Sequence, residues 1–333
     1  MHASIRIIAT SLRALLSILT LLPAAAQAQS PASGAAVYPS KLVRVIIPWP
    51  GGSNDAAGRV VFQKIAESWG QPVVIDNRSG ASGTIGAALV ARSAPDGYTV
   101  MVTSQSLVIN AHLYKKLPYD TLRDFIGITP LAAQIGVLMV HPSLPVKSVK
   151  ELVTFSKSKP DQLHYGSSGS GSFLHLAMAH LDILSGMRNV HVPYKGGDAA
   201  GISLIAGETQ VMIGTTAVAL PLLPANRVRA LGVTSDTRLP QLREVPTIAE
   251  AGVPGYEYTA WVGAFVPAGT PRAIVDKLHG EIKKALDHPD VSGRYNNIAM
   301  NPMFLTPEQF AALLKADYDK SAKLIAATRV TVN

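Results

Sequence analysis

Hydrophobic positions along the chain switch repeatedly between two periods. Short β-branched runs at Leu42 to Ile47, Val73–Ile75 and Tyr98–Thr103 read as strands. Between them, residues 55–69 place Ala57, Val61, Ile65 and Trp69 on one helical face, with Gly70 as a stop, and a small-residue helix follows from Thr84 to Arg92. The βαβαβ order predicts a parallel sheet covered on both faces. The same order returns further on. Ser148 and Glu151 form a capping box before a helix, Leu163–Tyr165 is a strand, Phe173–Leu184 a helix closed by Gly186, and Val190–Val192 a strand. Residues 198–206 are a helix, Val211–Gly214 and Val228–Thr234 are strands, and Thr247 with Glu250 caps a short helix.

The last third has a different pattern. Val262–Val266 is a strand, and two helices follow, introduced by Thr270-Pro271 and by Thr306-Pro307-x-Gln309. Helices without a sheet of their own must pack on one already made. The pattern therefore predicts an α/β protein of two doubly wound units, with the terminal helices returning to pack on the first sheet. Domain 1 is residues 38–136 plus 262–333 and domain 2 is residues 137–261, joined by extended crossings near Gly136–Val140 and Tyr258–Gly263. A serial arrangement of the domains is the alternative.

The N-terminus stands apart from this alternation. Arg6 and Arg13 precede a nine-residue apolar run, Ala14 to Leu22, which Pro23 breaks before Ala26-Gln27-Ala28. That is the layout of a signal peptide, residues 1–28, cleaved after Ala28 and leaving 305 of the 333 residues; the run is too short to span a bilayer. Export places the mature protein in a bacterial periplasm. Composition then narrows the chemistry. With no cysteine there are no disulfides, thiolate metal sites or cysteine nucleophiles. The formal charge of +8 loses two arginines with the signal, and the remaining basic residues are scattered, which speaks against nucleic acid.

In open α/β sheets ligands bind beyond the carboxyl ends of the strands. The junctions there share one character in this chain: Trp49-Pro50-Gly51-Gly52-Ser53-Asn54-Asp55, Asn77 to Thr84, Thr103-Ser104-Gln105, Gly166 to Ser172, Pro193-Tyr194-Lys195-Gly196-Gly197 and Gly214-Thr215-Thr216. Glycines let a backbone approach a ligand closely, hydroxyls add directional bonds, and the free N–H groups of a helix start favour an anion. One such start is worth about 0.3–1 kcal/mol to a nearby charge, so several must converge to matter. Trp49 and Tyr194 either wall a pocket or belong to the core. Lys195 is a counter-charge or faces solvent. Arg78 meets the ligand or ties its loop to Asp55 or Asp76.

Enzyme signatures are missing. The Gly166–Gly171 stretch has the wrong spacing for a nucleophile elbow, there is no dinucleotide or phosphate-loop fingerprint, and no His-Glu-x-x-His. No metal, cofactor or catalytic residue is expected. The competing reading is a secreted α/β serine hydrolase using Ser167 or Ser168 with His175, His180 or His191.

The ordered series Tyr38-Pro39-Ser40-Lys41, Pro50-Gly51-Gly52 with Asp55, Gly80-Ala81-Ser82-Gly83-Thr84, Ala94-Pro95-Asp96-Gly97-Tyr98, Leu117-Pro118-Tyr119-Asp120, His191-Val192-Pro193-Tyr194-Lys195-Gly196, Val245-Pro246-Thr247 and Pro267-Ala268-Gly269-Thr270-Pro271 resembles the Bug family (Bordetella uptake gene products). These are the solute-binding receptors of tripartite tricarboxylate transporters. The resemblance implies the periplasmic binding protein fold, two doubly wound α/β lobes with a ligand cleft between them that close on a small carboxylate: a dicarboxylate, tricarboxylate, acidic amino acid or aromatic acid. It implies delivery of that solute to membrane permease subunits, with a sensor protein as a further partner, and we expect a monomer. Carried over by residue, Gly51, Gly52, Ser53, Asn54 and Asp55 on one side and Ser167, Ser168, Gly169 and Ser170 on the other would clamp the carboxylate through backbone N–H groups and water. Tyr194, Lys195, Gly196 and Thr215 would line the far side, with Ser104 and Trp49 beside them. Trp49 departs from the smaller or different aromatic residues frequent there, and the serines of 167–172 exceed those of many relatives.

Overall fold

The computed structural model describes residues 38–328; the expected signal peptide at residues 1–28 lies outside the described residues. The first half-sheet is built in the order the periodicity predicts: β1 (Val43–Ile47), α1 (Gly52–Trp69), β2 (Val73–Asn77), a 3-10 turn over Ala81–Gly83, α2 (Thr84–Ala91) and β3 (Thr99–Ser104). Val43, Val45, Ile46 and Ile47 are inaccessible to solvent, so β1 is buried on both faces and carries no alternation. Two elements follow that the periodicity did not mark: α3 (Ser106–Leu113) and the long strand β4 (Phe125–Gln134). The second region contains β5 (Gly136–Val140), α4 (Val149–Ser158), β6 (His164–Ser167), α5 (Phe173–Ser185), β7 (Val190–Pro193), α6 (Gly197–Ala206), β8 (Val211–Thr215), α7 (Thr216–Ala219) and β9 (Arg229–Val233). The chain ends with β10 (Ala260–Pro267), α8 (Arg272–Leu286), α9 (Pro289–Asn297), β11 (Asn301–Pro302) and α10 (Pro307–Thr328).

These strands form two sheets, β11-β4-β10-β3-β1-β2 and β7-β6-β8-β5-β9. Each is mixed and not wholly parallel as the βαβ pattern predicts. β1, β2 and β3 run parallel, and so do β6, β7 and β8, but β10 pairs antiparallel with both β3 and β4, and β5 pairs antiparallel with both β8 and β9. The antiparallel strands are the ones beside the points where the chain passes between sheets, so they enter from the opposite end. Only Ile135 separates β4 of the first sheet from β5 of the second. The two crossings brace each other: the Gly136 N–H donates to Thr234 Oγ1 at 2.8 Å, and the Tyr258 N–H donates to the Thr234 carbonyl at 2.9 Å.

The terminal helices return to the first sheet. α8 lays Val275, Leu278, Ile282 and Ala285, all buried, against α1 and β4; burial of each of the larger side chains is worth about 1.5–3 kcal/mol. α10 packs on α3 and β4 and also touches α5 of the second lobe. Its start is a full capping box, Gln309 N to Thr306 Oγ1 at 3.2 Å and Thr306 N to Gln309 Oε1 at 3.0 Å. Two expected caps turn out otherwise. Thr270 turns its hydroxyl back to the Pro267 carbonyl, and Pro271 stands outside the first helical residue. Thr247 and Glu250 exchange both hydrogen bonds of a capping box, yet the segment they hold is a turn and not a helix.

Candidate functional site

Because β1, β2, β6 and β7 are parallel within their sheets, each delivers its following loop to the carboxyl edge, and these loops meet. They enclose a cleft of about 380 Å³. Trp49 and Ser79–Ser82 line it from the first lobe, together with Tyr114 at the end of α3; Ser168–Ser170 and Pro193–Gly196 line it from the second. The lobes touch around the cleft. Ser82 Oγ donates to the Ser170 carbonyl, and Asn110 Nδ2 holds the Ser82 carbonyl at 2.8 Å. The turn carrying these contacts runs through four successive positive φ angles, at Gly80, Ala81, Ser82 and Gly83. For alanine and serine that conformation is strained, and such strain gathers at ligand clamps.

The start of α1 is bare. Gly51 is the cap position, with no side-chain acceptor, and both Gly51 and Gly52 have positive φ, 70° and 72°. The first free donors are met from the opposite lobe. Asp198, in the first turn of α6, faces the Gly52 N–H, and a methyl group added at Gly51 would overlap its carboxylate. Partial burial, with the nearby Asp55 charge, pushes the Asp198 carboxyl above the usual carboxylate range, while the Gly52 N–H works against that rise. Thr215 faces the same place: it is 2% exposed, its hydroxyl has no hydrogen-bond partner, and that oxygen lies 3.9 Å from where a Gly52 side chain would begin. Asn54 is buried behind the glycines, with an equally unpartnered Oδ1.

The second lobe uses a different device. Ser172 caps α5, accepting from His175 N at 3.3 Å. The loop before it rests on a stacked imidazole pair, His175 and His191, with ring centroids 3.7 Å apart and planes 7° from parallel. His175 Nδ1 accepts the Gly171 N–H at 2.9 Å, and Ser167 Oγ lies 2.6 Å from His191 Nε2. Burial, reinforced by His191, lowers the His175 pKa to about 3, and burial lowers that of His191 to about 4. Both rings are therefore neutral at physiological pH, which the stacking requires, since two imidazolium rings in contact would repel.

The expected site residues thus fall into three groups. Trp49, Ser168, Gly169, Ser170, Tyr194, Lys195 and Gly196 line the cleft. Gly51, Gly52 and Thr215 meet at the lobe contact around Asp198, while Ser53 and Asn54 are buried under it. Asp55, Ser104 and Ser167 serve other side chains. Asp55 accepts from Arg59 Nε at 2.6 Å and Asn77 Nδ2 at 2.8 Å, which makes it a brace of the first loop, and Ser104 Oγ reaches Ser106 at 3.3 Å. Of the alternatives for Arg78, the ion pair with Asp76 is the one formed, at 2.9 Å. Ser79–Ser82, Tyr114 and Asp198 were not among the expected site residues. The first group lay in a glycine-serine junction that could have been added, whereas Tyr114 follows a helix the pattern did not mark. Among the described residues no group of three or more His, Asp or Glu is placed to hold a metal ion, and no helix is long and apolar enough to cross a membrane.

A family profile described as "Tripartite tricarboxylate transporter family receptor" matches residues 57–330. The "UPF0065 protein in tcbD-tcbE intergenic region" of Pseudomonas sp. strain P51 is 39% identical over 298 residues, 89% of each chain. Protein BugT of Bordetella pertussis is 30% identical over 94% of this chain and 97% of its own. Among solved structures, R. palustris Rpa4515 with adipate is 33% identical with a TM-score of 0.85, covering 88% of this chain and 99% of that one. MatC (Rpa3494) from Rhodopseudomonas palustris with bound malate is 31% identical with a TM-score of 0.81, covering 86% and 100%.

Proposed function

Because the chain belongs to the tripartite tricarboxylate transporter receptor family, we propose that it captures a small carboxylate in the cleft between its lobes and hands it to the permease subunits of such a transporter. The observation that supports this most is the cleft itself: residues from four strand-to-helix junctions, two from each sheet, around a space suited to a small solute. The bound adipate and malate of two structural relatives place carboxylates in the ligand class of similar proteins. On this reading the main-chain N–H groups of Ser168 and Ser170 hold one carboxylate, the Lys195 ammonium adds charge, and Trp49 and Tyr194 wall the solute's body. The hinge lies at Ile135 and at the crossing before β10, so that residues 38–134 with 260–328 move against the rest. The end of β4 at Gln134 and the start of β10 at Ala260 support this division. The receptor acts after export to the periplasm and cleavage behind Ala28, as a monomer, since one pair of lobes completes the site.

A thermal-shift screen of mono-, di- and tricarboxylates tests the reading. A ligand present at 100 times its Kd stabilises the folded protein by about 2.7 kcal/mol, a rise of several degrees in Tm; no rise with any carboxylate would refute it. The Ser167–His191 contact is the one feature shared with a hydrolase. Ser167 has no exposed surface, and its oxygen also meets the Gly169 N–H at 3.1 Å, so it is a loop brace and not a nucleophile. Incubation with aryl esters is expected to give no turnover.

A further inference from the structure

Resting on the receptor reading, we propose that Asp198 is a specificity-determining residue that restricts the cleft to solutes carrying one carboxylate. The start of α1 lies at the lobe contact beside the cleft: Trp49, two residues before Gly51, and Gly196, two residues before Asp198, both line it. Its place for an anion is already filled. Asp198 reaches it from the second lobe, faces the Gly52 N–H and lies over Gly51, where only a glycine leaves room for its carboxylate. The loop geometry keeps it there. Gly196 and Pro50 are in backbone contact, so close that a side chain at Gly196 would begin 2.9 Å from the Pro50 carbonyl oxygen.

A solute with carboxylates at both ends would bring its second charge toward an aspartate, with Asp55 close behind, and would find the α1 donors occupied. A solute with one carboxylate and an uncharged far end meets no such repulsion. The nearby Arg59 does not relieve it, because its guanidinium is engaged by Asp55 and Asn77. The other cation of the cleft, Lys195, lies on the same lobe as the Ser168–Ser170 loop.

Titration calorimetry with paired ligands tests this: succinate, adipate and suberate, each against its monomethyl ester, which keeps the chain length and removes one charge. The wild-type protein should bind the half-ester of its best pair at least tenfold more tightly than the diacid. Asp198→Asn, at a position exposed enough to spare the fold, should erase or reverse that ratio, mainly by tightening the diacid; Asp198→Ala should do the same. If the ratio is unchanged in both variants while carboxylates still bind, the role of Asp198 is refuted and the receptor reading stands. If no member of any pair binds either protein while another carboxylate raises the Tm, this inference falls and the receptor reading stands; if no carboxylate of any class binds, both fall.

Discussion

The helices α1 and α5 hold equivalent places. Each follows the middle strand of a three-stranded parallel unit, β2-β1-β3 in one lobe and β7-β6-β8 in the other. Their starts are nevertheless opposites. α5 satisfies its own first turn through Ser172, and the preceding loop is pinned by two neutral histidines. α1 begins at two glycines in the left-handed region, with no side chain to accept its N–H groups. Four free donors at a helix start need partners from elsewhere, and here a carboxylate from the other lobe supplies one. The contrast separates two tasks that the repeated fold would otherwise merge: one helix start is finished within its lobe and shapes a wall of the cleft, and the other is completed by a carboxylate of the opposite lobe.

The largest effect should come from breaking the lobe contact at that start. Gly52→Pro removes the N–H that faces Asp198 and imposes a negative φ where the chain has +72°, which displaces the loop that carries Trp49 into the cleft, so carboxylate binding should weaken by at least a hundredfold in calorimetry while far-UV circular dichroism keeps most of the helix signal. Binding at wild-type strength would mean that the α1 start is irrelevant to the site.

Acid should act on the other lobe. The unfolded chain protonates His175 and His191 near 6.5, whereas the folded chain leaves them neutral down to about 3 and about 4. Their contribution to stability is present above pH 6.5 and is lost as pH falls toward 4. Burial holds the Asp182 carboxyl up at about 7, which works in the opposite direction: its folded form gains a proton first, and its contribution fades as pH rises from 4 to 7. Two histidines against one aspartate leave a net loss of stability on acidification, and chemical denaturation from pH 7 to 4.5 should show it. Asp182→Asn should make the acid loss steeper, and His191→Gln should make it shallower. A flat profile would show that the imidazole pair is not held neutral.

Tyr194→Ala should weaken carboxylate binding by about tenfold, since the ring walls the cleft while its hydroxyl reaches only Glu208 at 3.3 Å. Ser172→Ala is the mildest change. Loss of a serine cap costs about 1 kcal/mol, visible as a fall of a few degrees in Tm, with ligand affinity altered less than fivefold. An affinity loss exceeding the stability loss would show that α5 presents its start to the ligand.

The sequence carried most of the architecture because strands buried on both faces and helices with one apolar face leave strong periodic marks. It did not reveal α3 or β4: Ser106–Leu113 is short and buried on most sides, its polar Ser106 and Asn110 included, and β4 contains Pro130 and Gly127 in place of an unbroken β-branched run. The glycine-serine junctions pointed to the right edge of each sheet, and the cleft lies there. What stayed hidden were relations across the lobes. Nothing in the local pattern says that Ala81 and Ser82 adopt positive φ, that Asp55 is used up by Arg59 and Asn77, or that Asp198 reaches over Gly51. Such contacts depend on how two separately patterned units come together, which no window along the chain samples.

The most direct test is a crystal structure of the protein with the carboxylate that raises its Tm most. The account predicts the ligand between Trp49 and Tyr194, its carboxylate within hydrogen-bond distance of the Ser168–Ser170 main chain, and protein atoms of both lobes in contact with it. A carboxylate bound to the surface of a single lobe, with the cleft filled only by water, would contradict it.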